Sequence, residues 1–435
     1  MTARIPGGSW PEICQALESM VAGALGPEHQ AVVRAGLPFG GAGITVLFAS
    51  GAEEELARGA GNLNQPAVIL RPLAATATLD TASTPATDFD ASLYFPEADP
   101  ELPELGLLLA APERVAPAGG RGRTVARLLS YRPLRRAQVA LGRDGQAGSS
   151  SDDASRSGNG MGMNDVGGAP WFAKLLRPER AARMWRRHNL LATALSRDLR
   201  PAPVIAADQA RGIAIAAPAP GTLLANCLTT GNGAADLARL GCALHSLERS
   251  LDAVPDLATD LPTFSFADAV ADLERFAFLL ARVGMGTAAD VAGGRERLAA
   301  LAPTPDSGRR AVVHRDLHDK QVFVADHMTL LDLDQVSLGD PALDLGNLLA
   351  HLRLRSLQGR LGASCTTYRS ALLGGYGTMA DRFGDAVRAW EALALFRLAA
   401  VYALRPRWSH LGRELARAGH GVLDAMVREA SDHAA

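Results

Sequence analysis

The sequence is organised around the stretch from Ala311 to Leu352, AVVHRDLHDKQVFVADHMTLLDLDQVSLGDPALDLGNLLAHL. Its first apolar run ends in the triplet HRD, whose aspartate is Asp316. A second run, VFV, follows Gln321, and a third, TLL, ends at Asp332. Short apolar runs bounded by polar turns are typical of strands. The stretch therefore predicts a tight β-hairpin that presents acidic side chains at both ends.

The spacing of Asp316, Gln321 and Asp332 suits phosphoryl transfer. This reaction needs one carboxylate beside the attacking hydroxyl, a second to hold Mg²⁺ on the nucleotide phosphates, and an amide-type oxygen from the loop between them. Protein kinases carry these parts as H-R-D-L-x-x-x-N followed by D-F-G. Here Asp316 stands at the position of the base, Gln321 at that of the amide and Asp332 at that of the metal-binding acid. The amide is Gln rather than Asn.

His318 and the run G-D-P-A-L-D-L, from Gly339 to Leu345, make the pattern more specific. It resembles the aminoglycoside phosphotransferase and choline-kinase-like group, whose members read H-G-D-L-H-x-x-N, then I-D-x, then G-D-P-x-x-D-L. The resemblance implies an α+β, two-lobed protein-kinase-like fold, with a small antiparallel sheet lobe and a larger, mostly helical lobe. It also implies ATP and Mg²⁺ as cofactors and a small-molecule hydroxyl as acceptor.

Further polar residues accompany the catalytic loop, which we place at residues 314–321. His314 and His318 are expected to support that loop. The resemblance implies that Asp344 braces it, whereas the residues alone equally allow Asp344 to be the N-cap of the helix that follows. Asp334 either shares the metal site or is a solvated acid.

Composition excludes several classes of protein. The chain of 435 residues has 44 basic and 46 acidic residues, which gives no electrostatic footprint for nucleic acid. Its 4 cysteines lack C-x-x-C spacing, so neither a disulfide framework nor a zinc site is expected, and a cytoplasmic location fits. No signal segment and no apolar run approaching ~20 residues is present, so no membrane span is expected.

Three parts of the chain are expected. Residues 1–120 are interpreted as an N-terminal cap or extension packed on the small lobe, 121–220 as the small lobe, and 221–435 as the helical large lobe. The extension shows a helical pattern at 10–24, strand-like runs at 44–48, 67–70 and 92–95, and then an irregular proline-rich segment. Its glycine-rich stretch 36–43 lacks a P-loop pattern and is expected to be an ordinary loop. The low-complexity stretch 142–168 predicts a flexible insertion in a β-hairpin.

The small lobe is expected to begin with strands at 124–131 and 136–141. Their turn lacks the glycines of a kinase phosphate loop, so Arg135 and its neighbours either supply charge to the phosphates or form a solvated basic turn. Lys174 lies in an apolar strand, where a charge needs a partner, and the resemblance makes it the lysine that binds the α- and β-phosphates. The next helix carries only Glu179, too early for the usual ion pair. Lys174 is therefore held by another group, or the pair forms differently.

The segment APAPG from Ala217 to Gly221 fits a hinge whose backbone, at Ala217 and Ala219, binds adenine. Helical patterns at 234–248, 264–283, 288–301, 368–383, 387–404 and 412–429 then predict the large lobe. The basic, aromatic cluster at 405–408 either lines the acceptor pocket, where arginines would suit an anionic substrate, or packs as a helix C-cap.

The sequence thus predicts an ATP-dependent phosphotransferase that acts on a hydroxyl of a sugar, aminoglycoside or related metabolite. Asp316 is the predicted base, Gln321 and Asp332 are the predicted Mg²⁺ ligands, and Lys174 positions the phosphates. Because the C-terminal helices carry no dense acidic cluster, a neutral or anionic acceptor fits at least as well as a cationic antibiotic. The missing helix glutamate, the missing glycine loop and the unusual amide keep open a pseudokinase that binds nucleotide without turnover. Nucleotidyl transfer on the same fold also stays open.

Overall fold

The computed structural model describes residues 2–25, 30–39, 43–51, 67–72, 89–115, 124–143, 171–301, 309–377 and 384–434. Its strands are β1 (Thr2–Ile5), β2 (Gln30–Phe39), β3 (Gly43–Gly51), β4 (Ala67–Pro72), β5 (Phe89–Tyr94), β6 (Thr124–Arg132), β7 (Arg136–Arg143), β8 (Trp171–Leu176), β9 (Leu199–Pro201), β10 (Val204–Asp208), β11 (Ile213–Ala216), β12 (Thr222–Leu223), β13 (Ala311–Val313), β14 (Val322–Val324), β15 (Met328–Leu330) and β16 (Ser337–Gly339).

The helices are α1 (Trp10–Leu25), α2 (Pro103–Ala110), α3 (Pro178–Ala194), α4 (Leu224–Thr229), α5 (Gly233–Glu248), α6 (Ser250–Ala253), α7 (Asp256–Asp260), α8 (Phe266–Arg282), α9 (Thr287–Ala299), α10 (Ala342–Leu357), α11 (Cys365–Tyr376), α12 (Gly384–Ala403) and α13 (Leu411–Ala434). Antiparallel sheets precede a mostly helical half, which confirms the predicted α+β class. Within the described ranges, no helix combines the length and apolar character needed to cross a membrane.

The N-terminal strands form a five-stranded sheet in the order β1-β5-β4-β3-β2, and helix α1 buries Ile13, Leu17 and Val21. Gly36, expected in a loop, lies in strand β2, and that expectation was wrong. Its N–H donates to the carbonyl oxygen of Leu404 at 2.9 Å. A Cβ at Gly36 would lie 3.0 Å from the Trp10 ring, so this close approach explains the glycine. This part of the chain therefore contacts the large helical lobe directly.

The segment after β5 also differs from the prediction. Residues 103–110, expected to be irregular, form helix α2, which begins with a proline at its first position. Leu105 and Leu108 of this helix pack into the apolar core of the next sheet, and Glu104 accepts hydrogen bonds from Arg211 at 2.6 and 3.0 Å. The extension thus touches both lobes, and the boundaries at 120 and 220 stay predictions.

The small-lobe sheet has the order β10-β11-β8-β7-β6, with every neighbouring pair antiparallel. Strand β8 is central, and Lys174 pairs in register with Gln138 on one side and Ala214 on the other. Ala173 and Leu175 face the buried side of the sheet, so the alternation of a strand points Lys174 to the opposite face, toward the large lobe. The predicted insertion begins with the last residues of β7, and residues 144–168 lie outside the described ranges.

The large lobe surrounds helices α10 and α12, most of whose residues are buried. The predicted helices are present with small changes of boundary. The one expected at 368–383 instead runs from Cys365 to Tyr376 and ends at Gly377, whose φ of 89° favours glycine. Residues 378–383 lie outside the described part. The hinge continues into strand β12, which pairs with β14, rather than directly into a helix.

The predicted hairpin is confirmed by the antiparallel pairing of β14 with β15, in which Val322 faces Leu330. The apolar run before the catalytic loop forms β13 and pairs with β16, a strand that the sequence did not indicate. These two short sheets fix both ends of the catalytic loop.

Candidate active site

The catalytic loop is held from below by Asp344. Its two carboxylate oxygens accept the backbone N–H groups of His314 at 2.7 Å and Arg315 at 2.9 Å. The N-cap alternative for Asp344 was wrong, because helix α10 begins at Ala342, after Pro341, and Asp344 lies inside its first turn. Burial raises the pKa of this carboxyl, against the effect of the two N–H donors.

Asp316 extends from this loop into the cleft and is paired with Arg397. The guanidinium Nη2 lies 3.2 Å from Asp316 Oδ1. Burial alone would raise the pKa of Asp316, but Arg397, His318 and His314 hold it below its usual value. The carboxylate is therefore ionised near neutral pH and is able to accept a proton.

Asn347 links Arg397 to the loop. Its side-chain oxygen accepts from Arg397 at 2.8 Å, and its Nδ2 donates to the carbonyl oxygen of Leu317 at 2.7 Å. Asn347 is 3 % exposed, so both bonds are shielded from water. Helices α10 and α12 therefore fix the orientation of the predicted base from two directions.

Two acids and two cations meet where hairpin β14–β15 ends. Lys174 Nζ lies 2.7 Å from Asp332 Oδ1 and 2.5 Å from Asp334 Oδ1. Arg136 Nη1 lies 2.9 Å from Asp332 Oδ1 and 2.9 Å from Asp334 Oδ2. Although burial opposes the charged form, Lys174 and Arg136 lower the pKa of Asp332 strongly. Asp334 is thus part of this cluster and not a solvated surface acid.

This cluster answers the question of the missing helix glutamate. Lys174 is held by aspartates from the large lobe, whereas Glu179 lies 3.5 Å from Arg177 at the surface. Asp332 itself has a left-handed backbone with φ of 53°, a costly conformation for a non-glycine residue that is common at functional sites.

Gln321 stands next to Asp332 across the hairpin, because the backbone N–H of Leu331 donates to the carbonyl oxygen of Gln321 at 2.9 Å. Its side-chain nitrogen lies 3.5 Å from His318 Nε2. His318 in turn stacks on His351, with ring centroids 4.6 Å apart. The carboxylates of Asp332 and Asp334 and the amide oxygen of Gln321 are the hard oxygen donors that Mg²⁺ prefers. Their charge, now balanced by two cations, fits a divalent ion.

The hinge departs in part from the prediction for adenine binding. The N–H of Ala217 donates to the carbonyl oxygen of Pro203 at 2.9 Å, so only its carbonyl is left for a ligand. Ala219 is buried in a small apolar cluster with Leu223, Phe323 and Leu331. This cluster places an apolar surface beside the catalytic hairpin.

The turn between β6 and β7 is fixed by the extension. Leu134 has φ of 60°, and its N–H donates to Asp99 Oδ2 at 2.8 Å. The Tyr131 hydroxyl donates to the same oxygen at 2.7 Å. Arg132 and Arg135 flank this turn, half-buried on the cleft side. Burial, followed by repulsion from neighbouring arginines, lowers the pKa of Arg132 to about 10.

A cavity of about 680 Å³ opens between this turn, helix α3 and the floor of the large lobe. Its lining includes Arg397 and Asn347, which hold the predicted base. The cluster at 405–408 does not line it. Instead the Arg405 guanidinium lies 4.4 Å from the Tyr402 ring centre, and Arg407 lies 5.4 Å from that of Trp408. The alternative that placed this cluster in the acceptor pocket was therefore wrong with respect to this cavity.

Four residues of the site were not among the predicted site residues: Asp99, Arg136, Asn347 and Arg397. Arg136 and Arg397 had been noticed only as basic residues of a turn and a helix. Asp99 gave no signal, because its partners are 32 and 35 residues away in the sequence.

Solved structures with a similar arrangement are phosphotransferases or related kinases. A putative aminoglycoside phosphotransferase from Ralstonia eutropha is 15% identical, with a TM-score of 0.48, and the match covers 74% of this chain and 98% of that one. A macrolide 2'-phosphotransferase from Brachybacterium faecium is 20% identical, with a TM-score of 0.41 and coverage of 72% and 97%. A choline/ethanolamine kinase family protein from Mesorhizobium loti is 18% identical, with a TM-score of 0.43 and coverage of 74% and 93%.

No curated protein sequence matches the chain. The family model described as "Phosphotransferase enzyme family" matches residues 163–410, which is more than half of the sequence. The match confirms the resemblance seen in the catalytic motif. The chain belongs to the phosphotransferase enzyme family.

Proposed function

We propose that this protein transfers the γ-phosphoryl group of ATP to a hydroxyl of a small molecule. The observation that carries the proposal is the convergence of Asp316, held by Arg397, with the cluster of Asp332, Asp334, Lys174 and Arg136. A proton acceptor, a pair of metal-binding acids and two phosphate-binding cations then face one cleft, which is the set of groups that phosphoryl transfer requires.

In the proposed reaction, Asp316 accepts the proton of the acceptor hydroxyl. The hydroxyl oxygen forms its bond to the γ-phosphorus while the bond from that phosphorus to the β–γ bridging oxygen breaks, and the electron pair of the broken bond leaves with ADP. Arg397 and Asn347 keep the Asp316 carboxylate oriented during this step. Such positioning, rather than covalent chemistry, supplies most of the rate enhancement.

Asp332, with Gln321 and Asp334 beside it, would hold Mg²⁺, whose charge neutralises the phosphate oxygens when it is bound. Lys174 and Arg136 neutralise the two acids in the structure described here. With nucleotide bound, both side chains are close enough to the acids to donate to phosphate oxygens instead. Ala219 and its apolar neighbours supply the surface for the base.

Mass spectrometry with purified protein, Mg-ATP and a panel of sugars, aminoglycosides and amino alcohols tests this proposal. One acceptor should gain the mass of a phosphate. Asp316→Asn should lower turnover by about 10²–10⁴-fold, because proton transfer is lost, and Asp332→Ala should abolish it. Asp326→Asn, an exposed acid in the turn of the same hairpin, is the matched control and should retain full activity.

A second pair of variants tests Gln321. Gln321→Ala should raise the Mg²⁺ concentration needed for half-maximal rate, whereas Gln321→Asn keeps an amide oxygen and should restore most of the affinity. Full activity in Asp316→Asn would contradict the proposal. Binding of Mg-ATP without transfer to any acceptor would instead favour a protein that binds nucleotide without turnover.

A further inference from the structure

The cavity beside the proposed catalytic centre is unusually basic. Of the 25 residues that line it, nine are arginines and two, Asp272 and Asp334, are acids. Asp272 is paired with Arg275, and Asp334 with Lys174 and Arg136. Within the described part of the chain, no unpaired carboxylate therefore faces this cavity. Ammonium groups of a cationic ligand would meet repulsion without compensation.

The lining arginines fall into two groups. Five have partners in the protein: an acid for four of them, and the Phe264 ring for Arg315, whose guanidinium lies 3.5 Å from the ring centre. The other four, Arg132, Arg135, Arg180 and Arg183, have no side-chain hydrogen bond or ion pair with any described residue. Like charges held close together in a half-buried site repel one another, and an anion would relieve that repulsion.

Burial is the main cause that lowers the pKa of Arg135, and repulsion from Arg180, Arg136 and Arg177 adds to it. The same opposition acts on Arg132. The unpartnered arginines therefore sense one another, as expected of a site whose balancing charge comes from a ligand.

The position of the cavity separates part of this charge from the proposed nucleotide site. Neither Lys174, Gln321 nor the hinge lines the cavity. Arg132 and Arg136 lie at its inner end, beside Asp332. Arg180 and Arg183 lie on helix α3, on the outer wall, where the positive end of the helix adds to their effect. They are placed to contact a molecule that enters from the acceptor side.

The opposite wall is apolar. Phe264, Phe276, Trp390 and Leu393 line it, and Arg397, which contacts Asp316, lies beside them on the floor. A ligand in this cavity would thus meet guanidinium groups on one side, an apolar surface on the other, and the predicted base at the bottom.

Resting on the proposed phosphotransferase function, we infer that the acceptor is an anionic hydroxyl compound. It carries a carboxylate or phosphate that Arg180 and Arg183 bind, and a ring or other apolar face that packs against Phe264 and Trp390. A polycationic aminoglycoside is the opposite of what this cavity accommodates.

The test compares acceptors that share one scaffold and differ in charge: glucose, glucosamine, glucuronate and glucose 1-phosphate. Binding is measured by calorimetry in the presence of Mg-ADP, and transfer is measured separately with Mg-ATP. The anionic members should bind at least ~10-fold more tightly than glucose, because charge-assisted hydrogen bonds add to their affinity, and glucosamine should bind most weakly. Equal binding of all four, or a preference for glucosamine, would overturn the inference.

Two variants identify the residues responsible. The double variant Arg180→Ala/Arg183→Ala should remove the preference for the anionic members and leave the Mg-ADP affinity within about 2-fold. Arg186→Ala is the control, since Arg186 lies on the same helix but outside the cavity lining and is paired with Asp260. If the double variant weakens Mg-ADP binding and leaves the sugars unaffected, the arginines serve the nucleotide and the inference is wrong.

The two hypotheses fail separately. Arginine-dependent binding of the anionic members without any phosphoryl transfer would contradict the proposed function and support the anion site. Transfer that depends on Asp332 but prefers neutral or cationic acceptors would support the function and contradict the anion site.

Discussion

Arg397 and Asp316 form an ion pair at the floor of the cleft, with 3.2 Å between Nη2 and Oδ1. The predicted base is therefore not free to rotate, because the same guanidinium nitrogen also donates to Asn347 at 2.8 Å. The pair combines two effects, since it orients the carboxylate and keeps it ionised.

Replacement of Arg397 should separate these effects. Arg397→Ala should lower kcat by about 10- to 100-fold through lost orientation. Because Arg397 lowers the pKa of Asp316, its removal should also shift the acid limb of the pH–rate profile to higher pH. Arg388→Ala, on the same helix but paired at the surface with Asp385 and Glu429, is the control. An unchanged acid limb would mean that Arg397 does not set the protonation of Asp316.

Arg315 occupies the position at which the family motif has glycine, and its φ is 68°. A side chain in this left-handed region costs about 1–2 kcal/mol. Arg315→Gly and Arg315→Ala both remove the contact with Phe264, but only the glycine variant relieves the backbone. Arg315→Gly should therefore be at least as stable as Arg315→Ala in urea denaturation. A clearly more stable alanine variant would show that the backbone is unstrained here.

Asp344 is the buried acceptor for two backbone donors of the catalytic loop. Asp344→Ala should cost about 2–5 kcal/mol of unfolding free energy, because each unsatisfied buried N–H costs about 1–3 kcal/mol. Asp344→Asn retains one carbonyl-type oxygen and should cost roughly half as much. Chemical denaturation of both variants measures this. Equal and small losses would show that water replaces the carboxylate.

His351 should make stability depend on pH. Burial holds its pKa well below the usual 6.5, so the unfolded chain takes up a proton that the folded chain does not. Stability is then full above pH 6.5 and falls as the pH drops below it, by at most about 1.4 kcal/mol per pH unit for this group. Urea denaturation between pH 7.5 and 5.5 should show a shallower fall for His351→Phe, which keeps a ring against His318. An identical slope in both proteins would assign the effect to other groups.

The catalytic hairpin and the position of Lys174 were predictable because each is a local pattern of apolar runs and polar ends. One further signal was present but not used. Polar residues recur at positions 344, 347, 351 and 355 of helix α10, which is otherwise apolar. This spacing follows one face of a helix, and that face holds Asp344, Asn347 and His351 beneath the catalytic loop.

Other features could not be predicted from local sequence. Lys174 lies 158 and 160 residues before its partners Asp332 and Asp334. An ion pair of this kind depends on how the two lobes meet, and the pattern of either segment alone does not encode it. The glycine-rich stretch at 36–43 misled the prediction because Gly36 is a glycine of close packing in a strand, and not of a turn.

Asp99 ties the extension to the turn that carries Arg135, and both lie outside the segment from 163 to 410 that matches the family model. The roof of the proposed phosphate site is therefore built by the part of the chain that the family model does not describe. Any rigid displacement of the extension would be transmitted through Asp99 to Leu134, and from there to the arginines above the cleft. What resembles an appendage is in mechanical terms a strut, and the catalytic core cannot be transplanted without it.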